Sequence, residues 1–244
     1  MSNEFFKTRW QLVKGRKYRD YITIALGELI LLVFGIFIAL QIDNWNQDRQ
    51  EKKIIDAYLV LISKDLQSDI QSIEELMENR KQALIYTDSI LSYYRNGYIA
   101  NSKLFERGYF SLFIETRFHP NTTAFESLKN SGFMKNLENL EIEEQLNQYH
   151  QLIENISFVE DKFINMTQPV ENSLVLKGFY SEYNQIFKWQ NRDSVIFTIQ
   201  SMNKYPEFEA AFIKAKMFQE ELINNYKGLL LNGHETLKLI NNGD

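Results

Sequence analysis

Few residues of this 244-residue chain are of the types that do chemistry. It has no cysteine, which excludes a disulfide framework, thiolate catalysis and cysteine-ligated zinc or iron–sulfur clusters. His119, His150 and His234 are far apart, and neither His-Glu-x-x-His nor Glu-x-x-His occurs, so zinc-hydrolase and di-iron signatures are missing. Neither Gly-x-x-x-x-Gly-Lys nor Gly-x-Gly-x-x-Gly is present to cradle a phosphate. Glu141, Glu143 and Glu144 cluster, but carboxylates at a helix start mostly meet the positive dipole end and solvent. The expectation from residue chemistry is a non-enzymatic protein with no catalytic residue, no metal and no cofactor.

One carboxylate stands in unusual surroundings. Glu28 lies inside Tyr21–Ile42, twenty-two residues otherwise free of ionisable side chains apart from the tyrosine at the edge. At about 1.5 Å per residue this run covers roughly 33 Å, close to the hydrocarbon thickness of a bilayer. Leu29–Leu40 has no polar side chain at all, which a buried helix of a soluble domain rarely shows. A cleavable signal peptide would have a shorter apolar run and a small-x-small site, where this chain has Gln-Ile-Asp-Asn-Trp. A transmembrane helix is therefore predicted over residues 21–42.

A carboxylate at that depth costs about 2.5–3.5 kcal/mol on insertion scales, so it needs a reason. On a helical wheel Glu28 shares a face with Gly35 and Ala39, flanked by Leu32 and Ile42, and small residues four apart permit close helix approach. We expect these five residues to pack on another transmembrane helix, with a neutral acid lacking a partner and a proton or ion pathway as the other readings of Glu28. Trp10, Tyr18 and Tyr21 at one end of the span and Trp45 at the other suit the headgroup belts.

Charge sets orientation. Residues 1–20 hold six basic side chains against two acidic ones, whereas only Arg49, Lys52 and Lys53 follow the span closely. The positive-inside rule then makes residues 1–20 a cytoplasmic basic segment and places residues 43–244 outside the cytoplasm. The first twenty residues carry +4 within a net charge of −5, so the remainder stands at −9, which argues against a nucleic-acid partner. The expected partners are the lipid bilayer and a homo-oligomer or other membrane-protein subunits.

Ten glycines and three prolines are too few for the turns of a β-sandwich or a Rossmann-type domain, so the fold must be helical. No glycine interrupts the chain between Ile36 and Asn96, and Ile55, Leu59, Ile62, Leu66, Ile73, Met77, Leu84 and Leu91 recur at coiled-coil or bundle spacing. Asn96-Gly97 ends that rod. A second helix is expected over about 101–118, closing before Pro120. Thr123-Ala-Phe-Glu126 has capping-box spacing and opens a short helix that Gly132 terminates. A long helix over about 139–167 follows, with Pro169 beyond it, then possible short helices at 172–180 and 194–202, and a last helix from Pro206 through Ile240. The fold class is all-α: one N-terminal transmembrane helix followed by an extracytoplasmic antiparallel helical bundle.

The run from Lys17-Tyr-Arg-Asp-Tyr through Gly-Glu28, Gly35-Ile, and Ala39-Leu-Gln-Ile-Asp-Asn44-Trp45-Asn46 resembles a family of single-span membrane proteins common in Bacteroidota. Members share Gly-Glu, Gly-Ile and Ala-Leu-Gln-Ile-Asn-Asn-Trp-Asn after a basic N-terminus, and Asp43 stands here for the usual first asparagine. A looser similarity reaches Thr123–Gly132 and the Leu146–Tyr149 stretch. The family has no established activity, so the resemblance implies architecture and location, a bacterial inner membrane with residues 43–244 in the periplasm, and carries no catalytic residue. The expected function is that of a subunit or scaffold of a membrane assembly. The alternative is a periplasmic ligand- or stress-sensing module that signals through the membrane helix to a partner, since twenty cytoplasmic residues are too few for an output domain.

Overall fold

A computed structural model describes residues 18–101, 103–104, 107–108, 112, 116–178, 204 and 207–242. Regular structure among them is helical throughout: α1 (Tyr18–Asn96), α2 (Thr123–Ser131), a 3₁₀ turn (Phe133–Asn136), α3 (Leu140–Leu176) and α4 (Glu207–Asn242). The chain divides into two units, residues 1–56 and 57–244.

Among its described residues, the first unit holds one stretch of helix, near the N-terminus, that is long and apolar enough to cross a membrane. None of its most apolar stretch is buried by the protein. Such a helix pairs every interior backbone group with itself, which hydrocarbon requires.

In the second unit, α1 presents Ile62, Leu66, Ile73, Ile90 and Leu91 to the interior. It stops at Gly97, whose φ of 70° a side chain would resist and whose N–H caps the Tyr93 carbonyl at 2.8 Å. α2 buries Ala124, Phe125 and Leu128, and Gly132 at φ 79° ends it as the sequence predicts. Its start differs. Thr122 is the N-cap and makes no side-chain cap bond, so Thr123 is already helical and the capping-box reading fails by one residue. Asn139 caps α3 through its side chain, which accepts from Glu141 N at 2.9 Å.

α3 also runs past its expected end, through Pro169 to Leu176. Pro169 and Asn165, whose carbonyl loses its helical donor, are both exposed, so the freed carbonyl lies on the solvent side of the helix. Leu174, fully buried, holds the continuation in place. Residues 172–176 are thus the tail of α3 rather than a separate helix, which Gly178 (φ 78°) ends. Residues 194–202 and Pro206 lie outside the described residues. So does most of the helix expected over 101–118. Its last part is corrected, because residues 116–122 are not helical.

The aromatic-rich interior brings Ile90 and Leu91 of α1 together with Leu112, Phe163 and Leu174, and with Phe208, Ala211, Phe212 and Ala215 of α4. Each such large side chain contributes about 1.5–3 kcal/mol of burial, the main force holding the helices together. Gly233 of α4 sits where a Cβ would come 3.2 Å from the Tyr149 ring and 3.4 Å from Ile70, so its bareness lets the helices approach.

Candidate functional site

In the first unit, the residues singled out for helix packing lie on an uncovered helix surface. Glu28, Gly35 and Ala39 are exposed, as are Leu32 (62%) and Ile42 (60%), and no atom lies within 4 Å of where a Gly35 Cβ would stand. Trp45 is 66% exposed and Tyr21 is half-buried. Tyr18 is the first residue of α1, and Trp10 lies outside the described residues.

The second unit holds a set of buried polar side chains that the sequence reading passed over. Arg80 and Glu160 are each 2% exposed. The Arg80 guanidinium donates to the Thr116 carbonyl and, at 3.3 Å, to Gln219 Oε1, and it lies 5.6 Å from the Phe163 ring centroid. Its Nε makes no hydrogen bond. Glu160 accepts from Phe118 N on both oxygens, at 3.1 and 3.2 Å, and from Tyr226 Oη at 2.6 Å. Removal from water pushes its carboxyl above the ordinary range, against the opposing pull of Tyr226, Phe118 N, Arg80 and Arg117.

A parallel arrangement lies around Asp69, which is 1% exposed. Its oxygens accept from Asn121 N at 3.0 and 3.2 Å, from Asn121 Nδ2 at 2.7 Å and from Tyr149 Oη at 3.4 Å. Burial again raises the carboxyl, helped by the neighbouring Asp65 and opposed by the Asn121 donors and Tyr149. Tyr226 and Tyr149 are themselves pushed up, chiefly by burial and then by their carboxyl partners. Beside Asp69, a recess about large enough for a water molecule is lined by Asp65, Asn121, Tyr149 and His150. His150 stacks on Phe125 at 3.5 Å, and burial lowers its pKa to about 4.

These groups serve one task. Arg80, Glu160 and Asp69 bind the Thr116 carbonyl and the Phe118 and Asn121 amides of residues 116–121, a segment that is not helical and where the predicted second helix gives out. Apart from Arg80 Nε, the donors and acceptors named here meet groups of the chain itself. Among the described residues, no group of three or more His, Asp or Glu side chains is placed to hold a metal. The signal for these residues was present in the spacing. Every seven-residue step in the apolar seams hides one: Asp69 between Leu66 and Ile73, Arg80 between Met77 and Leu84, Thr87 between Leu84 and Leu91, Glu160 between Ile156 and Phe163, and Gln219 between Ala215 and Leu222.

Comparison of the chain with protein families, with curated proteins and with solved structures finds no match.

Proposed function

We propose that this chain is a non-enzymatic subunit or scaffold of a membrane assembly. Its span crosses a bacterial inner membrane with the N-terminus inside, and its second unit is an antiparallel helical bundle in the periplasm. The observation that carries the reading is the contrast between the two units. The whole apolar surface of the span is uncovered by the chain, the Glu28, Gly35 and Ala39 face included, whereas the buried charges of the second unit hold backbone and side-chain groups of their own chain. A helix whose small residues face outward is suited to close approach by another helix.

Paired positions favour the antiparallel arrangement. Asn232 of α4 meets Gln145 and Gln148 of α3, Phe218 lies 5.8 Å from Phe163, and Glu207 meets Ser173, so α4 numbers fall as α3 numbers rise. The resemblance to the Bacteroidota single-span proteins and the basic N-terminus support the location.

Two experiments test this reading. Gly35→Leu places a bulky side chain on the proposed contact face, and crosslinked or co-purified assemblies in mild detergent should be lost, while Glu28→Gln, which keeps hydrogen-bonding capacity, should preserve them. Assemblies unchanged by Gly35→Leu would remove this face as an interface, and a co-purifying metabolite in place of subunits would favour the sensor. For topology, the absence of native cysteine allows single probes at Ser2→Cys and at exposed Asn130→Cys. A membrane-impermeant thiol reagent on cells with an intact inner membrane should label only the second. Labelling of the first alone inverts the orientation.

A further inference from the structure

We propose that residues Thr116–Asn121 form a strap that acid tightens, held by two carboxyl–tyrosine pairs, Glu160 with Tyr226 and Asp69 with Tyr149, which keep hold of its backbone after taking up a proton.

The geometry repeats itself at both ends of the strap. At Phe118, an amide N–H bridges both Glu160 oxygens and a tyrosine hydroxyl meets Oε1 at 2.6 Å. At Asn121, an amide N–H bridges both Asp69 oxygens and a tyrosine hydroxyl meets Oδ2 at 3.4 Å. An ionised carboxylate only accepts, so in that state each tyrosine must donate. A protonated carboxyl still has one oxygen for the amide, and its new O–H needs an acceptor. Rotation about the tyrosine C–O bond supplies that acceptor from the same hydroxyl. An N–H in that place would repel the acid proton, whereas a hydroxyl serves either state.

Several charged groups face these carboxyls. Arg80 from α1 and Arg117 from the strap favour the ionised form of Glu160, and Arg117 is itself drawn to Asp161 at 2.8 Å. Asp65 favours the neutral form of Asp69. Burial is the largest influence on both, and it favours the neutral form. Lifting the strap returns the carboxyls to water and to ordinary values near 3.8 for Asp69 and 4.5 for Glu160. The closed strap therefore binds protons more tightly than the open one, so linkage favours closure as pH falls into the window above those values, and rising pH loosens it. His150 stays neutral until about pH 4, below that window.

The test is backbone hydrogen exchange on the full-length protein in detergent micelles, with each rate divided by the intrinsic chemical rate at that pH. Protection of the Phe118 and Asn121 amides should be several-fold higher at about pH 5 than at about pH 7.5, each unit of raised pKa contributing up to about tenfold. Glu160→Gln has the shape of the protonated acid and no charge. It should make protection at Phe118 independent of pH while Asn121, held by Asp69, keeps its dependence. Should that variant fail to fold, Asp69→Asn makes the reciprocal test: protection at Asn121 should become independent of pH while Phe118, held by Glu160, keeps its dependence. Equal or lower protection in acid for the unaltered chain overturns the proposal. So does a Glu160→Gln chain whose Phe118 amide, or an Asp69→Asn chain whose Asn121 amide, keeps the original pH profile.

Discussion

Replacing Arg80 by leucine is expected to destabilise the second unit by about 3–5 kcal/mol, a large part of the 5–15 kcal/mol that holds a typical domain folded. Leucine restores apolar volume but none of what the guanidinium touches. The Thr116 carbonyl and Gln219 Oε1 lose their donors, and Phe163 loses the cation above its ring. The larger loss is electrostatic. Glu160 is as deeply buried as Arg80 and would keep a negative charge without its nearby positive one, or take up a proton to shed it. Arg80→Lys should cost less, because an ammonium keeps the charge yet cannot present two separated donors in a fixed fork. The decisive chain is the double variant Arg80→Leu with Glu160→Gln. If charge compensation is the main effect, it should be about 0.5–3 kcal/mol more stable than the sum of the single losses implies. Denaturant midpoints of the full-length protein in detergent measure all four. An Arg80→Leu loss under about 0.5 kcal/mol, the range of ordinary surface changes, would mean that the buried cation holds nothing.

How far the fold could be read in the sequence depended on whether the physics was local. Gly97 and Gly132 end their helices as expected, because a positive φ is a property of one residue and few others tolerate it. The membrane-length run of α1 was equally legible, since length and apolarity need no partner to be recognised. Pro169 misled because the cost of a lost hydrogen bond depends on whether the freed carbonyl meets water, and spacing does not say which way Asn165 faces. The end of the predicted 101–118 helix misled for the opposite reason. Residues 116–121 give up helical bonds for bonds to Arg80, Glu160 and Asp69, which come from helices 36 to 52 residues away in sequence. The buried polar residues themselves were half legible. A skipped turn in an apolar seam marks a position that faces inward without being apolar, and reading the seams for their gaps as well as their contacts finds Asp69, Arg80 and Glu160. What those positions hold was not legible, because the strap they bind has no periodicity of its own.

The same substitution at two helical glycines should act in opposite directions. Gly108 reads in the sequence as a weak point in a helix, since glycine in a helix costs about 1 kcal/mol relative to alanine. The structure gives it a different part. A Cβ there would stand 2.4 Å from the Tyr86 carbonyl oxygen and 2.7 Å from Ile90 Cγ1. The Ile90 side chain could yield by changing rotamer, but the Tyr86 oxygen belongs to the backbone of α1 and cannot swing aside. Gly108→Ala must therefore push its segment away from α1, beside the buried Ile90 and Leu91, at an expected cost of about 1–3 kcal/mol. Gly228 lies inside α4 with nothing within 4 Å of its would-be Cβ. There alanine adds no clash and removes conformational freedom from the unfolded chain, so Gly228→Ala should stabilise by about 0.4–1 kcal/mol. Measured side by side in the full-length protein, the two midpoints should move apart around that of the unaltered chain. If Gly108→Ala raises its midpoint as Gly228→Ala does, the close approach at Tyr86 does not exist in solution and Gly108 is only a helix position that lacks a side chain.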